Sequence, residues 1–287
     1  MRVLALTLGL LACAEPPDDD SAVDPDAPAP LVGPSAGSCP DLSETAHVQL
    51  KSNGVDRDVL VYVPLSGAEG APVLFFWHPL GATAQMIAEF FDFQVMANAH
   101  EVVVVMPDAL PDSPYEWTFW TDDGGDDAVL YDDLRACLVE EAGVDVRRIH
   151  TTGISAGGLW STWLSVRRAD TLASSVIMSG GTGQVVYYET PAAPIPVLVM
   201  WGGPSDVAGA GGSMEVDFHE QSLAFVEALH EDEHVVVACD HHLGHTIPLE
   251  AFSMLFDWVH PHAYGEPSPF AGGDLTGFPS YCHMPGG

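Results

Sequence analysis

Two rhythms of apolar residues alternate along most of the chain. Residues 73–78 (VLFFWH) and 102–106 (VVVVM) are apolar almost throughout, as strands covered on both faces are. Residues 148–153, 173–178, 195–201 and 234–239 repeat that signature. Between them, residues 84–99, 128–142, 156–166, 215–230 and 249–260 carry apolar side chains at helical spacing. Ahead of these, residues 48–51 and 58–64 predict a leading pair of strands that turn at Asn53-Gly54. A regular β-α-β-α order predicts an α/β fold: a mostly parallel, doubly wound sheet with helices on both faces. Ligands of such sheets bind outside the carboxyl ends of the strands, so chemistry is expected in the loops there.

The N-terminal 38 residues break this rhythm. Arg2 precedes a mostly apolar run over residues 3–12, too short to span a bilayer but the length of a signal-peptide core. The run ends Leu10-Leu11-Ala12-Cys13, which resembles the bacterial lipobox. That resemblance implies removal of residues 1–12, lipidation of Cys13 and anchoring through acyl chains. Ala12-Cys13-Ala14 also fits a small-x-small cleavage site, which would give a soluble product. Residues 13–38 are rich in Pro and Asp and are expected to form an extended, solvated, disordered tether. Residues 39–287 are then expected to form one domain, outside the cytoplasm, lipid-anchored to the bacterial cell envelope or secreted.

Composition narrows the partners. An apolar content of 47% in 287 residues allows a large core and excludes wholesale disorder. The 41 Asp and Glu against 8 Lys and Arg, a net charge of −33, exclude nucleic acid and electrostatic docking on anionic lipid. Membrane contact is expected only through Cys13, and the protein is expected to act as a monomer. In an oxidising compartment the even set Cys39, Cys137, Cys239 and Cys282 is expected to pair as disulfides. Of the three pairings, one with Cys239–Cys282 is preferred, because it would staple the C-terminal tail beside a loop that carries His245.

The most informative stretch is residues 150–158, HTTGISAGG, within which residues 153–157 match G-x-S-x-G. A serine hydroxyl is a poor nucleophile and must be thrust out on a sharp strand-to-helix turn where a base can reach it. Side chains two residues either side of Ser155 would collide, so Gly153 and Gly157 are the permissive choices. The helix starting at Ala156 aims free N–H groups at the reacting carbonyl. A Gly-rich turn with a capping Ser is the alternative reading.

Such an elbow predicts the chain order Ser, then Asp or Glu, then His. The strand over residues 195–201 runs into Gly202-Gly203-Pro204-Ser205-Asp206, which makes Asp206 the expected acid, with Asp217 as the alternative. The strand over residues 234–239 opens into a His-rich loop in which His245 is the expected base. A metal site formed by Asp240, His241, His242 and His245 is the rival use of that loop, although no H-E-x-x-H or complete ligand set exists. The second oxyanion donor is expected after residues 73–78, where His78-Pro79-Leu80-Gly81 looks like H-G-x-G with Pro79 in place of the first Gly. Pro has no N–H, so the Leu80 N–H is expected to pair with that of Ala156. His78 is counted with the substrate contacts and as a former of this loop, not as the base. Trp117 and Trp120, with Phe119, are expected to line an aromatic-accepting pocket; covering the core is the alternative.

With these residues in place, residues 46–262 resemble the α/β-hydrolase superfamily. More narrowly, they are similar to the secreted esterases grouped with polyhydroxybutyrate depolymerases, feruloyl esterases and acetylxylan esterases. The residues that carry the resemblance are 144–149 (VDVRRI), 152–158 (TGISAGG), Pro196-Val197-Leu198, residues 202–206 (GGPSD) and Gly244-His245-Thr246. The resemblance implies a Ser-Asp-His triad of Ser155, Asp206 and His245. Two positions depart from the pattern: Pro79, and Gly202 where the family usually has the His of H-G-x-x-D. The expected activity is hydrolysis of a carboxylic ester through an acyl-enzyme, with no cofactor and no metal. A serine peptidase of the same fold and a non-catalytic lipoprotein on a hydrolase scaffold are the rivals.

Overall fold

The computed structural model describes residues 26–111, 113–209 and 215–286. The expected signal segment and Cys13 lie outside the described residues. Strands β1 (Ala46–Ser52) and β2 (Val55–Tyr62) form the leading hairpin, turning through Asn53 (φ 48°) and Gly54 (φ 80°) as a two-residue loop requires. After β3 (Val73–Trp77) the helix predicted over 84–99 is two helices, α1 (Ala84–Phe90) and α2 (Phe93–His100). The break is a capping event. Thr83 accepts the Met86 N–H to start α1, and Asp92 accepts the Val95 N–H to start α2.

There follow β4 (Val103–Pro107), α3 (Gly125–Ala142), β5 (Ile149–Ile154), α4 (Ala156–Arg167), β6 (Ser174–Met178) and β7 (Val197–Trp201). A short ladder of β8 (Val207–Gly209) and β9 (Glu215–Asp217) has no counterpart in the predicted elements. Helix α5 (Phe218–Glu231) starts later than the predicted 215, because Asp217 caps it by accepting the Glu220 N–H at 3.0 Å. The chain closes with β10 (Val236–Asp240), α6 (Ala251–Val259) and β11 (Cys282–His283).

Nine strands form one sheet in the order β1-β2-β4-β3-β5-β6-β7-β10-β11. The six from β4 to β10 are parallel, and β1, β2 and β11 add antiparallel edges. Alternation along β3 sorts the core into two layers. Val73, Phe75 and Trp77 pack with residues of α3, α4 and α5, whereas Leu74 and Phe76 pack with residues of α2 and α6. No described helix is long and apolar enough to cross a membrane.

The tether assigned to residues 13–38 is met by the domain earlier than its composition suggests. The Ala29 N–H donates to Asp170 O at 2.7 Å, and the Arg135 guanidinium donates to Ala29 O at 2.5 Å. Ser35 donates its N–H and its hydroxyl to the Asp133 carboxylate at 2.7 and 2.5 Å. Asp133 and Arg135 are buried on α3, so this segment supplies partners those charges need. Both disulfides form: Cys39–Cys137 ties the start of the domain to α3, and Cys239–Cys282 joins β10 to β11.

Candidate active site

Ser155 sits between β5 and α4 with φ 56° and ψ −115°, a conformation a side-chain-bearing residue adopts only under constraint. The constraint is visible in the flanking glycines. A Cβ on Gly153 would lie 2.2 Å from Gly157 O, and one on Gly157 would lie 2.0 Å from Trp77 O. The Ser155 N–H donates to Met178 O at 3.0 Å, which fixes the turn to the neighbouring strand.

The structure brings Ser155, His245 and Asp206 together from three separate loops at the carboxyl ends of β5, β10 and β7. His245 Nε2 is 3.0 Å from Ser155 Oγ, and His245 Nδ1 is 2.6 Å from Asp206 Oδ1. Asp206 is fully buried, and its Oδ2 accepts from the Gly202 N–H and the Ser179 hydroxyl, each at 2.8 Å. Burial alone raises the pKa of such a carboxyl. Here it is outweighed by the bonds from His245, Gly202 and Ser179 and by the imidazole's charge, so Asp206 is held below the ordinary carboxylate value. The Phe218 ring stacks on His245 with centroids 4.7 Å apart.

The departure at Gly202 has a steric reason. Gly244 donates its N–H to Gly202 O at 2.9 Å, and a Cβ on Gly202 would lie 1.9 Å from Gly244 O. That close pairing of backbones holds the Asp206 and His245 loops side by side. Asp217, the alternative acid, is the cap of α5.

A cleft of about 320 Å³ opens onto Ser155 and His245. Leu80, Tyr115, Phe119, Leu159, Val216 and Phe218 form its apolar walls, and Ala156 lies at its base. Among the described residues, the N–H groups of Leu80 and Ala156 have no hydrogen-bond partner within the protein.

The three expected substrate contacts need correction. Trp117 is completely buried, packs edge-on against Trp77 and donates Nε1–H to His78 O at 2.9 Å, so it belongs to the core. Trp120 stands edge-on to Tyr115 and Phe119, with centroids 5.4 and 5.5 Å away, and backs the wall they form. His78 is buried with both ring nitrogens engaged by backbone, and it does not line the cleft. Tyr115, Val216, Phe218 and Ser179 take part where sequence reasoning named none of them. Ser179 has no sign in the sequence; it follows β6, which pairs with the strand that leads to Asp206.

The His-rich loop divides. His245 faces Ser155, His241 Nδ1 accepts the Leu243 N–H at 3.2 Å, and His242 Nδ1 lies 3.2 Å from Asp240. No three His, Cys, Asp or Glu among the described residues converge as metal ligands do.

A parallel sheet of this order, with a strained serine between its fifth strand and the following helix, is the α/β-hydrolase fold. The chain is an α/β-hydrolase by fold. No protein-family model matches it. Feruloyl esterase D of Neurospora crassa is 25% identical over 173 residues, covering 53% of this chain and 58% of that protein. Feruloyl esterase B of Talaromyces funiculosus is 24% identical over 139 residues, covering 47% of this chain and 39% of that protein. The matched part thus spans about half the length of these curated relatives. Among solved structures, native sOPH superimposes with a TM-score of 0.68 at 18% identity, covering 85% of this chain and 95% of that one. Acetyl xylan esterase from Aspergillus awamori gives 0.57 at 12% identity, covering 74% and 99%.

Proposed function

We propose that the protein is a serine hydrolase of carboxylic esters. The observation that carries this reading is the imidazole of His245, which bridges Ser155 Oγ at 3.0 Å and buried Asp206 at 2.6 Å at the mouth of an apolar cleft. His245 takes the Ser155 proton as Oγ attacks the ester carbonyl. Asp206 holds the imidazole by Nδ1 and stabilises the cation that forms. The N–H groups of Leu80 and Ala156 receive the oxyanion. His245 then protonates the leaving alcohol, and water, deprotonated by the same imidazole, releases the acid from the acyl-enzyme.

The walls favour an acyl group that is uncharged and flat or branched, since Tyr115, Phe119 and Phe218 surround the serine and, among the described residues, no Asp, Glu, Lys or Arg lines the cleft. Similarity to proteins named feruloyl esterases supports an aromatic acid, and linkage to a polymer is compatible with the cleft's opening to the surface. The two disulfides support action outside the cytoplasm. A single catalytic domain, secreted or carried on a lipid anchor at Cys13, completes the reading.

The test is turnover of an ester panel (short acyl, feruloyl, acetylated xylan, hydroxybutyrate oligomers) by wild type and Ser155→Ala, with fluorophosphonate labelling in parallel. Ester turnover and labelling that both vanish in Ser155→Ala are expected. Activity that survives the substitution, or a peptide cleaved where no ester is, would count against the reading.

A further inference from the structure

The peptide that joins Pro79 to Leu80 is held on every side. The Pro79 carbonyl accepts from His78 Nδ1–H at 3.0 Å and from the Ala82 N–H at 3.2 Å. His78 Nε2 accepts the Ala109 N–H at 3.1 Å, which assigns the ring proton to Nδ1. The C=O and N–H of a trans peptide point in opposite directions. A carbonyl pinned to His78 therefore turns the Leu80 N–H the other way. The preceding peptide is anchored through His78 O, which accepts Trp117 Nε1–H at 2.9 Å. The following one is anchored through the Gly81 N–H, which donates to Glu116 Oε1 at 2.9 Å. Between the two anchors the Pro79 ring locks φ.

Glu116 makes its contact from a φ of 69°, unusual for a residue with a side chain. That twist lets three consecutive residues face three ways. Tyr115 lines the cleft, Glu116 reaches Gly81, and Trp117 enters the core beneath His78. Neither His78 nor Glu116 lines the cleft, and neither takes part in the proton transfers described above.

We propose that His78 and Glu116 are positioning residues that aim the Leu80 N–H at the reacting ester carbonyl. This rests on the hydrolase reading. Without these partners, water would compete for the Pro79 carbonyl and the Gly81 N–H, and the peptide between them would be free to rotate. The bond from Leu80 strengthens only as the carbonyl oxygen becomes an oxyanion, so its loss falls on kcat and leaves KM nearly unchanged.

The test measures kcat and KM on p-nitrophenyl butyrate, together with inhibition by a trifluoromethyl ketone that mimics the tetrahedral adduct. Glu116→Ala is expected to lower kcat roughly tenfold, and Glu116→Gln, which keeps an acceptor for Gly81, to restore it. His78→Gln keeps an acceptor near the Nε2 position and removes the donor to Pro79; it is expected to lower kcat roughly a hundredfold, and His78→Asn, which keeps that donor, by less. Ketone binding should weaken by the same factors. Folded Glu116→Ala and His78→Gln variants with wild-type kcat, or with the loss in KM, overturn the proposal; if the His78 variants do not fold, the Glu116 pair decides it. Ser155→Ala separates the two claims. Turnover kept there, or absent in wild type, overturns the hydrolase reading. Turnover lost there while the positioning variants stay fully active overturns the positioning role alone.

Discussion

Three donors crowd one carboxylate at Asp206, and only one of them is the imidazole. Ser179 reaches Oδ2 from a backbone φ of 46°, so strain is accepted there to deliver a hydroxyl. Hydrogen bonds to charged groups contribute about 1.5–3 kcal/mol. Ser179→Ala is therefore expected to lower kcat/KM about tenfold or more. It should also move the profile. Burial raises the Asp206 carboxyl, and the bonds from His245, Gly202 and then Ser179 hold it below its ordinary value. A carboxylate with one donor fewer takes up a proton at higher pH, and a protonated Asp206 no longer holds the imidazole in place. The ascending limb of kcat/KM against pH should shift to higher pH, and an unmoved limb would assign Ser179 to packing alone. Asp206 was readable as the candidate acid from its place after a strand. Ser179 and Tyr115 were not, because a lone Ser or Tyr carries no spacing and gains its role only from its neighbours in the fold.

Elements show the same division. The strands were legible because parallel strands buried on both faces leave nearly unbroken apolar runs, as in β3. The G-x-S-x-G turn was legible because its glycines answer a steric demand that no other residue meets. Gly157→Ala would place a Cβ 2.0 Å from a backbone carbonyl on β3, with no flexible side chain to yield, and is expected to cost about 3 kcal/mol or more. Gly143→Ala is the control. It has a φ of 67° but only ordinary contacts, and is expected to cost about 1 kcal/mol. Denaturant midpoints of the two variants check the contrast, and equal losses would mean that the backbone around Gly157 yields to the added Cβ and that crowding there costs no more than the strained φ at Gly143. Less visible were the break between α1 and α2 and the late start of α5. Both are set by one Asp accepting one N–H, which hydrophobic spacing does not register. The β8–β9 ladder escaped notice because three-residue strands are too short to show alternation. The aromatic loop before α3 misled for a different reason: Trp117 and Phe119 both pack in the core, and of the two only Phe119 also lines the cleft.

At the scale of the molecule, acid and salt should act in ways set by groups far from Ser155. His262 is buried, donates Nδ1–H to Trp258 O at 2.6 Å and accepts the Ser268 hydroxyl at 2.7 Å, holding the C-terminal tail against α6. Burial lowers its pKa from 6.5 to about 4, against the smaller opposing effect of its bond to Trp258. Below pH 6.5 the unfolded chain takes up this proton and the folded one does not, so stability drains away until about pH 4, by about 3 kcal/mol in all. His262→Asn should flatten that part of the stability curve. An identical slope in the variant would move the cause elsewhere, first to His150, whose pKa burial also lowers. Salt works through the net charge of −33. The described cations are already engaged: Lys51, Arg57, Arg147, Arg167 and Arg168 pair with carboxylates, and Arg135 and Arg148 donate to backbone carbonyls. Most acids therefore meet other acids across the surface, and their repulsion is relieved when the chain expands. The screening length falls from about 30 Å at 0.01 M salt to about 3 Å at 1 M, so added salt removes that repulsion before it weakens the few ion pairs. The melting temperature should rise by several degrees from 0.01 M to 1 M NaCl at pH 7, measured by calorimetry. A fall would mean that the paired cations outweigh the unpaired acids, contrary to their numbers.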